Sequence, residues 1–181
     1  MNFHAPLWLP SPHPQTIAGR FLRRRRLPLT RERWTTPDDD FLDLDFATPR
    51  PGAPIVLLLH GLEGSAQRGY AINVYTELAR HGIASVGLNF RSCSGELNRT
   101  ARSYHSGETE DIRFVVEQLR VRYPDAPIGG IGFSLGGNAL LKYLGEEADA
   151  GRQTLQAAVA VSVPYDLAAG ADHLDKSPMG R

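Results

Sequence analysis

The chain has 181 residues, 41% of them hydrophobic, and its 20 basic and 20 acidic side chains give a formal net charge of zero. This length and composition are sufficient for one globular domain with a sizeable core. The neutral balance does not favour nucleic-acid binding by the chain as a whole, and no apolar run reaches the roughly 20 residues that a membrane-spanning helix requires.

Two features indicate the compartment. The N-terminal stretch MNFHAPLWLPSPHPQ has neither the basic start nor the uninterrupted apolar segment of a secretory signal. Cys93 is the single cysteine, which excludes an internal disulfide and fits a reducing compartment. No base partner is evident near Cys93, so a catalytic thiol is not favoured. We expect a cytoplasmic protein.

Residues 1–35 are predicted to form an N-terminal arm with a basic run. The run holds seven arginines from Arg20 to Arg33, and the acidic stretch PDDDFLDLDF follows it. The simpler interpretation is a solvated basic segment that the acidic stretch partly neutralises. The alternative is a peripheral contact with a membrane or an acidic partner, which the nearby Phe3, Trp8 and Phe21 would assist.

The predicted elements begin with LDLDFA, whose alternation of apolar and acidic residues is typical of a half-exposed strand. After the break PRPGAP, the run Ile55 to Leu59 is apolar throughout, as in a strand buried on both faces. YAINVYTELARHG then predicts an amphipathic helix that stops at Gly82. The apolar face of this helix consists of Ile72, Tyr75, Leu78 and Ala79.

The same alternation continues along the chain. IASVGLNF predicts a second buried strand, and the helix after it is expected to end at Pro124. Its apolar face consists of Ile112, Val115, Val116 and Leu119. PIGGIGF predicts another strand, SLGGNALLKYLGEEA a helix, and Leu155 to Val163 a last strand. Strands that alternate with helices of this length predict an α/β fold, with a mostly parallel sheet and helices on both faces.

The first candidate site lies at a predicted strand end, where such sheets bind ligands. GFSLGG matches Gly-x-Ser-x-Gly at a strand-to-helix turn, where a serine takes a strained conformation and projects its hydroxyl from the sheet. Ser134 is therefore a candidate nucleophile. The alternative is that Ser134 only caps the helix, but a cap does not require the flanking Gly132 and Gly136.

A second candidate segment is HGLEGS, which follows the predicted strand of Ile55 to Leu59. Acyl transfer to a serine needs two backbone N–H donors for the oxyanion, one after the nucleophile and one from the loop of an earlier strand. The amides of Leu135 and Leu62 fit these two positions. His60 precedes the serine, so we expect it to line the site as a structural histidine that holds this loop rather than to act as the general base.

A third segment, NFRSCSGELNRTARSYHSGETEDI, predicts a long polar loop over the same rim of the sheet. His105 lies in this loop and is a candidate for lining the site. The alternative is that His105 binds the backbone near the start of the next helix.

Together these motifs resemble the YheT-like branch of the α/β-hydrolase superfamily, which is related to eukaryotic abhydrolase-domain lipases and plant embryogenesis-associated hydrolases. The resemblance rests on SPHPQTIAGRFLRR, HGLEGS, LNFRSCSGELNR, YHSGETEDI and GFSLGGNALLKYLGE, which cover nearly all of the chain in this order. It implies an ester hydrolase with a Ser-Asp-His triad, in which Ser134 matches the nucleophile. It also implies a small-molecule ester substrate. Because the eukaryotic relatives act on acylglycerols or phospholipids, the resemblance to them implies a lipid-like ester.

The resemblance also implies segments that this sequence lacks. The triad acid and histidine should follow the serine after later strands, but only one more strand is predicted after Ser134. Residues 1–181 are therefore expected to be the N-terminal portion of a single α/β-hydrolase domain, truncated after the sixth strand, with the lid and the last two strands absent. Asp166 remains a candidate triad acid, and His173 is the one histidine after the serine.

Two hypotheses stay open. In the first, the chain is a serine hydrolase of carboxylic esters, impaired because the triad acid and base are missing. In the second, it is a non-catalytic or partner-dependent remnant that binds an acyl ligand or another protein, and its uncovered strand edge would favour oligomerisation or aggregation. No cofactor and no metal are expected, because the sequence has neither a nucleotide-binding glycine motif nor metal-ligand spacing.

Overall fold

The centre of the fold is a sheet with helices packed against it. The computed structural model describes residues 5–11, 14–15, 18, 27–47, 52–151 and 154–176. The strands in these residues are β1 (Thr30–Thr35), β2 (Phe41–Ala47), β3 (Ile55–Leu59), β4 (Ala84–Asn89), β5 (Ile128–Phe133) and β6 (Ala157–Val161). The helices that position the site are α1 (Gly69–Arg80), α2 (Glu110–Arg122), α3 (Leu135–Asp149) and α4 (Leu167–Lys176).

The strand order in the sheet is β1-β2-β4-β3-β5-β6. Strands β4, β3, β5 and β6 run parallel to one another, whereas β2 is antiparallel to both of its neighbours. This arrangement confirms the predicted α/β fold with a mostly parallel sheet. It also brings the carboxyl ends of β3, β4 and β5 to one rim of the sheet.

Strand β3 shows that helices cover both faces of the sheet. Leu57 and Leu59 are fully buried in a cluster that includes apolar residues of α2 and α3. Leu58 is fully buried in a second cluster, which contains Ile72 and Tyr75 of α1. Because successive strand residues point to opposite faces, α2 and α3 lie on one face and α1 on the other, as predicted.

Strand β2 corrects one expectation about burial. The alternation of LDLDFA predicted a half-exposed strand, yet all of β2 is buried, including Asp43 and Asp45. The reason is β1, whose Arg33 and Arg31 lie opposite these aspartates in the antiparallel register. Both arginines donate two hydrogen bonds of 2.8 to 2.9 Å to the facing carboxylate. This pairing compensates the carboxylates for the water they lose, so the acidic face of β2 can be covered.

The same pairs change the interpretation of the predicted arm. Residues 30–35, which the sequence placed in the arm, form strand β1 of the sheet. Arg31 and Arg33 are neutralised by the acidic stretch, as the simpler interpretation expected. Arg20 and Arg23 to Arg26 lie outside the described residues, so a membrane contact through them stays a prediction.

Helix ends and faces follow the predicted signals. Gly82 takes a φ of +73° just after α1, and the amides of Gly82 and Ile83 donate to the carbonyl oxygens of Ala79 and Leu78. This is the glycine-terminated helix end that the sequence indicated. The predicted apolar face of α2 is buried, namely Ile112, Val115, Val116 and Leu119. Over the described ranges, no helix combines the length and the apolar character needed to cross a membrane.

Strand β6 is the edge of the sheet opposite β1. Among the strands described above, it pairs with β5 alone. Ala157 and Ala158 are exposed, and 53% of the Val159 surface is accessible to solvent. An apolar strand therefore presents one uncovered edge.

Candidate functional site

The site forms where three strands end at the same rim of the sheet. The HGLEGS segment follows β3, the polar loop that begins at Phe90 follows β4, and Ser134 follows β5. The register places Leu59 of β3 between Leu88 of β4 and Gly132 of β5, so these three ends are neighbours. The three segments that the sequence singled out thus meet in one place.

Ser134 occupies the sharp turn between β5 and α3. Its backbone has φ 51° and ψ −119°, a conformation that non-glycine residues rarely adopt. The Ser134 amide donates to the Val161 carbonyl at 2.9 Å, and its carbonyl accepts from the Asn138 amide at 3.0 Å, which fixes the turn. The side chain is exposed and makes no capping hydrogen bond. The alternative in which its hydroxyl caps α3 is therefore wrong.

The HGLEGS segment lies directly beside this serine. A β-carbon placed on Gly61 would be 3.2 Å from Cβ of Ser134 and 3.9 Å from its Oγ. The close approach of α3 to β5 also requires glycine, because a β-carbon on Gly132 would lie 2.5 Å from the Gly136 carbonyl oxygen. The glycines around Ser134 therefore serve the tight crossing that the sequence indicated.

His60 is fully buried and holds two of the loops together. The Phe90 amide donates to His60 Nε2 at 3.1 Å, so this nitrogen must be the acceptor. The proton then lies on Nδ1, which donates to the Gly61 carbonyl at 2.7 Å. Burial lowers the pKa of His60 to about 4. A neutral imidazole with both nitrogens engaged fits the expected structural role and leaves no nitrogen to take a proton from Ser134.

The amides of Leu62 and Leu135 are the two that the sequence indicated as donors to an oxyanion. Leu135 is the first residue of α3, and the first amides of a helix have no partner within it. Leu62 follows Gly61 in the turn, and its side chain is 65% exposed. Across the residues that the structure describes, neither amide donates a hydrogen bond to a protein group. Both amides are available to a bound anion, and the helix dipole of α3 favours negative charge at Leu135.

His105 lies away from Ser134, in the polar loop after β4. It is exposed, and its Nδ1 accepts a hydrogen bond from the Gly107 amide at 3.1 Å. It lines a polar cavity of about 570 Å³ with Arg102 and Lys142, and the lining of this cavity does not include Ser134. The geometry favours the alternative in which His105 binds the backbone.

Asp166 and His173 are not brought together with Ser134 by any contact in the described residues. The Asp166 carboxylate accepts a hydrogen bond of 2.8 Å from the Ala169 amide and thereby caps the N-terminus of α4. His173 lies on the exposed surface of the same helix. This capping bond engages one carboxylate oxygen of Asp166, the candidate triad acid.

Two tyrosines near the HGLEGS turn have contacts that were not predicted from the sequence. Tyr104 accepts a hydrogen bond from the Glu63 amide at 2.8 Å, and Tyr70 accepts one from the Gly61 amide at 3.3 Å. A signal was present for Tyr104, since it lies in the YHSGETEDI motif. No signal was present for Tyr70, which begins an ordinary amphipathic helix.

A metal centre has no candidate ligands in this site. No group of three or more His, Cys, Asp or Glu side chains within the described ranges is arranged to hold a metal ion. The absence of a cofactor and a metal stays a prediction from the sequence.

Comparison with known proteins gives three informative relatives, although no protein-family model matches the chain. The chain is 38% identical over 168 residues to "Putative esterase YheT" of Escherichia coli (strain K12), a match that covers 91% of this chain and 49% of that protein. It is 35% identical to monoacylglycerol lipase of Saccharomyces cerevisiae, over 80% of this chain and 31% of the lipase. It is 33% identical to phospholipase ABHD3 of Homo sapiens, over 79% of this chain and 34% of that protein. The chain thus spans between about a third and a half of these relatives.

Solved structures share the fold of this chain. An esterase of Pyrococcus furiosus, Pf2001, superposes with a TM-score of 0.66 at 24% identity, over 91% of this chain and 60% of the esterase. XC6422 of Xanthomonas campestris, described as an α/β serine hydrolase without a lid, superposes with a TM-score of 0.60 at 23% identity, over 79% of this chain and 66% of that one. At these identities the likeness is evidence for the fold alone.

Proposed function

The chain belongs to the YheT-like branch of the α/β-hydrolase superfamily, and from this premise we propose that it is a serine hydrolase of carboxylic esters. The observation that carries the proposal is the conformation of Ser134. Its strained backbone at the end of β5 projects an exposed hydroxyl that does not cap α3, next to the first amide of that helix. A serine with only a structural role in a helix cap would use its hydroxyl in the cap.

The proposed reaction begins with attack of Ser134 Oγ on the ester carbonyl carbon. As the new C–O bond forms, negative charge develops on the carbonyl oxygen, where the amides of Leu62 and Leu135 donate to it. The bond to the alcohol then breaks, and the alcohol leaves with a proton. Water attacks the acyl-serine, which releases the carboxylic acid and restores Ser134.

The proton of Ser134 needs an acceptor, and the described residues offer none that is well placed. Both nitrogens of His60 are engaged and burial keeps it neutral, His105 binds the Gly107 amide, and Asp166 caps α4. We therefore propose that the triad acid and base are not among these groups. In that case the chain by itself has at most the residual activity of an incomplete triad.

The substrate class is proposed from the relatives. The names of the yeast and human relatives refer to a monoacylglycerol and a phospholipid, both of which are lipid esters. An acyl ester, lipid-like in its acyl part, is the substrate we propose for this chain. A cytoplasmic location stays a prediction from its single cysteine and its N-terminal sequence.

A second candidate function is binding of another protein by a non-catalytic domain. The observation that favours it is the apolar surface around β6. Val159 is 53% exposed, Leu167 is 45% exposed and Tyr165 is 80% exposed. An apolar edge strand with exposed apolar neighbours is a surface to which another chain could add.

An organophosphonate probe separates the two functions. The chain is incubated with the probe, and the modified residue is located by peptide mass spectrometry. Because an incomplete triad keeps residual reactivity, we expect a slow label on Ser134 that persists in Ser103→Ala, a matched exposed serine, and disappears in Ser134→Ala. Absence of label on chain that circular dichroism shows to be folded would contradict the hydrolase proposal. If sedimentation velocity then shows association of the chain, and Val159→Lys abolishes it, the binding function would be supported.

A further inference from the structure

Three consecutive amides of the HGLEGS turn differ in their hydrogen bonding. The Gly61 amide donates to the Tyr70 hydroxyl at 3.3 Å, and the Glu63 amide donates to the Tyr104 hydroxyl at 2.8 Å. The Leu62 amide lies between them and has no acceptor among the residues that the structure describes. Two tyrosines from different elements therefore engage the neighbours of the one amide that remains available.

We propose that Tyr104 is a positioning residue, whose hydroxyl holds the Glu63 amide and so keeps the Leu62 amide directed to the site beside Ser134. This inference rests on the proposed function, in which the Leu62 amide binds the oxyanion. Tyr70 assists on the other side through a longer and weaker hydrogen bond. Neither tyrosine donates to the reacting atoms, so their effect on the reaction passes through the turn.

The turn needs such support because its backbone is strained. Glu63 has a φ of +48°, in the left-handed region that favours glycine. Residues other than glycine stay in this region only when their surroundings hold them there. Both peptide groups of Glu63 are held, the amide by Tyr104 and the carbonyl oxygen by Arg68 Nη2 at 3.0 Å. If the Tyr104 bond is lost, the strained turn can relax and change the direction of the Leu62 amide.

The Tyr104 ring has its own support, which does not depend on the hydroxyl. It stacks on Phe90 with ring centroids 5.2 Å apart and an interplanar angle of 6°. Phe90 in turn packs edge-on against His60, with centroids 5.0 Å apart, and donates its amide to the same imidazole. Because the ring is placed by these contacts, a Tyr104→Phe substitution should remove only the hydroxyl.

Ion pairs fix the loop that carries Tyr104 on both of its sides. Arg91 comes directly after Phe90, is 1% exposed and donates two hydrogen bonds of 2.8 Å to Asp111 of α2. On the other side, Arg102 pairs with Glu108 at 2.7 Å, and these two residues bracket Tyr104 in the sequence. The polar loop is therefore a fixed support for the turn, which gives the LNFRSCSGELNR and YHSGETEDI motifs a role in the proposed reaction.

The test compares Tyr104→Phe with Tyr70→Phe and with Tyr123→Phe, a half-buried tyrosine just after α2 that serves as the matched control. The first measurement is the rate at which the organophosphonate probe labels Ser134, as a function of probe concentration. The limiting rate reports the transition state, where the phosphoryl oxygen needs the Leu62 amide, and the half-saturating concentration reports probe binding. The second measurement is hydrogen exchange of the Glu63 and Leu62 amides by NMR.

We expect Tyr104→Phe to lower the limiting rate about tenfold or more, with the half-saturating concentration unchanged. Tyr70→Phe should have a smaller effect, and Tyr123→Phe none. Exchange of the Glu63 amide should accelerate in Tyr104→Phe while amides in β3 and β5 keep their native rates, which separates loss of the turn from loss of the fold.

Each contrary result has its own meaning. If the native chain is labelled and Tyr104→Phe reacts at the native rate, the positioning role is wrong and the proposed hydrolase function stands. Unchanged exchange at Glu63 in Tyr104→Phe would overturn the positioning role even if the rate fell. If the folded native chain is not labelled at all, the proposed function fails and the positioning role fails with it, whatever the exchange shows.

Discussion

Gly136 of α3 passes so close to the carbonyl oxygen of His60 that a β-carbon at position 136 would lie 2.4 Å from it. The same β-carbon would lie 2.5 Å from the carbonyl oxygen of Leu59, at the end of β3. Both neighbours are backbone atoms, at the end of β3 and just after it, and they cannot move away as a side chain could. The start of α3, and with it Ser134, is therefore held against the HGLEGS turn by contact with a glycine.

Substitution of this glycine should destabilise the fold. We expect Gly136→Ala to lower the free energy of unfolding by about 1–3 kcal/mol, because either the helix or the strand end must shift. Urea denaturation measures the effect. Gly145→Ala is the matched control, since it lies in the same helix with nothing within 4 Å of its β-carbon. It should raise the free energy by about 0.5–1 kcal/mol. Equal effects at both positions would show that the close approach does not matter.

The parts of the fold that follow from short patterns could be predicted from the sequence. Ile55 to Leu59 is apolar at every position and is indeed buried on both faces. The burial of Asp43 and Asp45 could not be predicted, because LDLDFA has the same pattern as a strand with one solvated face. Only the pairing with β1 shows that arginines on the neighbouring strand compensate both carboxylates. A pairing between two charged segments was visible in the sequence, but its register was not.

The residues of the candidate site also differ in whether the sequence could predict them. Ser134 was recognisable because its flanking glycines, the end of its strand and the start of its helix are its neighbours in the sequence. Tyr104 accepts a hydrogen bond from the Glu63 amide, which lies 41 residues away in the sequence. Nothing in the local sequence connects the two residues. A hydroxyl that binds one particular amide has no pattern of its own, so such a contact emerges only from the folded chain.

Asp45 should make stability depend on pH in the acid range. Burial alone raises its pKa, but hydrogen bonds from Arg31 and Asn89 and the charge of Arg31 outweigh burial, so the pKa is lowered. The folded chain then binds fewer protons than the unfolded chain, whose aspartates titrate near about 3.9. The stabilisation is present above that pH and is lost as the pH falls through the lower pKa of the folded state.

Unfolding titrations from pH 6 down to pH 2 test this dependence. We expect the native chain to lose stability below about pH 4, and Asp45→Asn to be less stable at neutral pH with a flatter profile in acid. Asp39→Asn, whose carboxylate is 96% exposed, serves as the control and should leave the native profile in place. If the Asp45→Asn profile ran parallel to the native one, Asp45 would not be the group responsible.

The buried imidazole of His60 should titrate far below an ordinary histidine. Because burial lowers its pKa to about 4, we expect long-range proton–nitrogen NMR spectra to show a single proton, on Nδ1, at pH 6. The imidazole of the unfolded chain takes up a second proton at about pH 6.5, so the contribution of His60 to stability is lost as the pH falls from about 6.5 to about 4. A doubly protonated His60 at pH 6 would contradict the assignment.

Arg91 is the centre of a buried network of charges. Its side chain is 1% exposed, and it binds Asp111, Asp38 and Asp40. Its two bonds to Asp111, both 2.8 Å, require the planar fork of a guanidinium. Removal of the arginine would leave the carboxylates of Asp40 and Asp111 buried without their cation, a cost that apolar packing of the replacement does not offset.

We therefore expect Arg91→Met to lower the free energy of unfolding by about 3–5 kcal/mol at pH 7. Arg91→Lys should recover part of this loss, because lysine restores the charge but not the paired hydrogen bonds. Arg99→Met is the control, since Arg99 is 59% exposed, its ion pair with the Asp39 carboxylate is 3.7 Å long, and its hydrogen bond to the Asp39 carbonyl oxygen is exposed to solvent. Its loss should change stability by less than about 1 kcal/mol. Urea denaturation of the three variants measures these changes in the free energy of unfolding. A similar, small loss in all three would show that the Arg91 network stabilises the loop no more than a surface ion pair does.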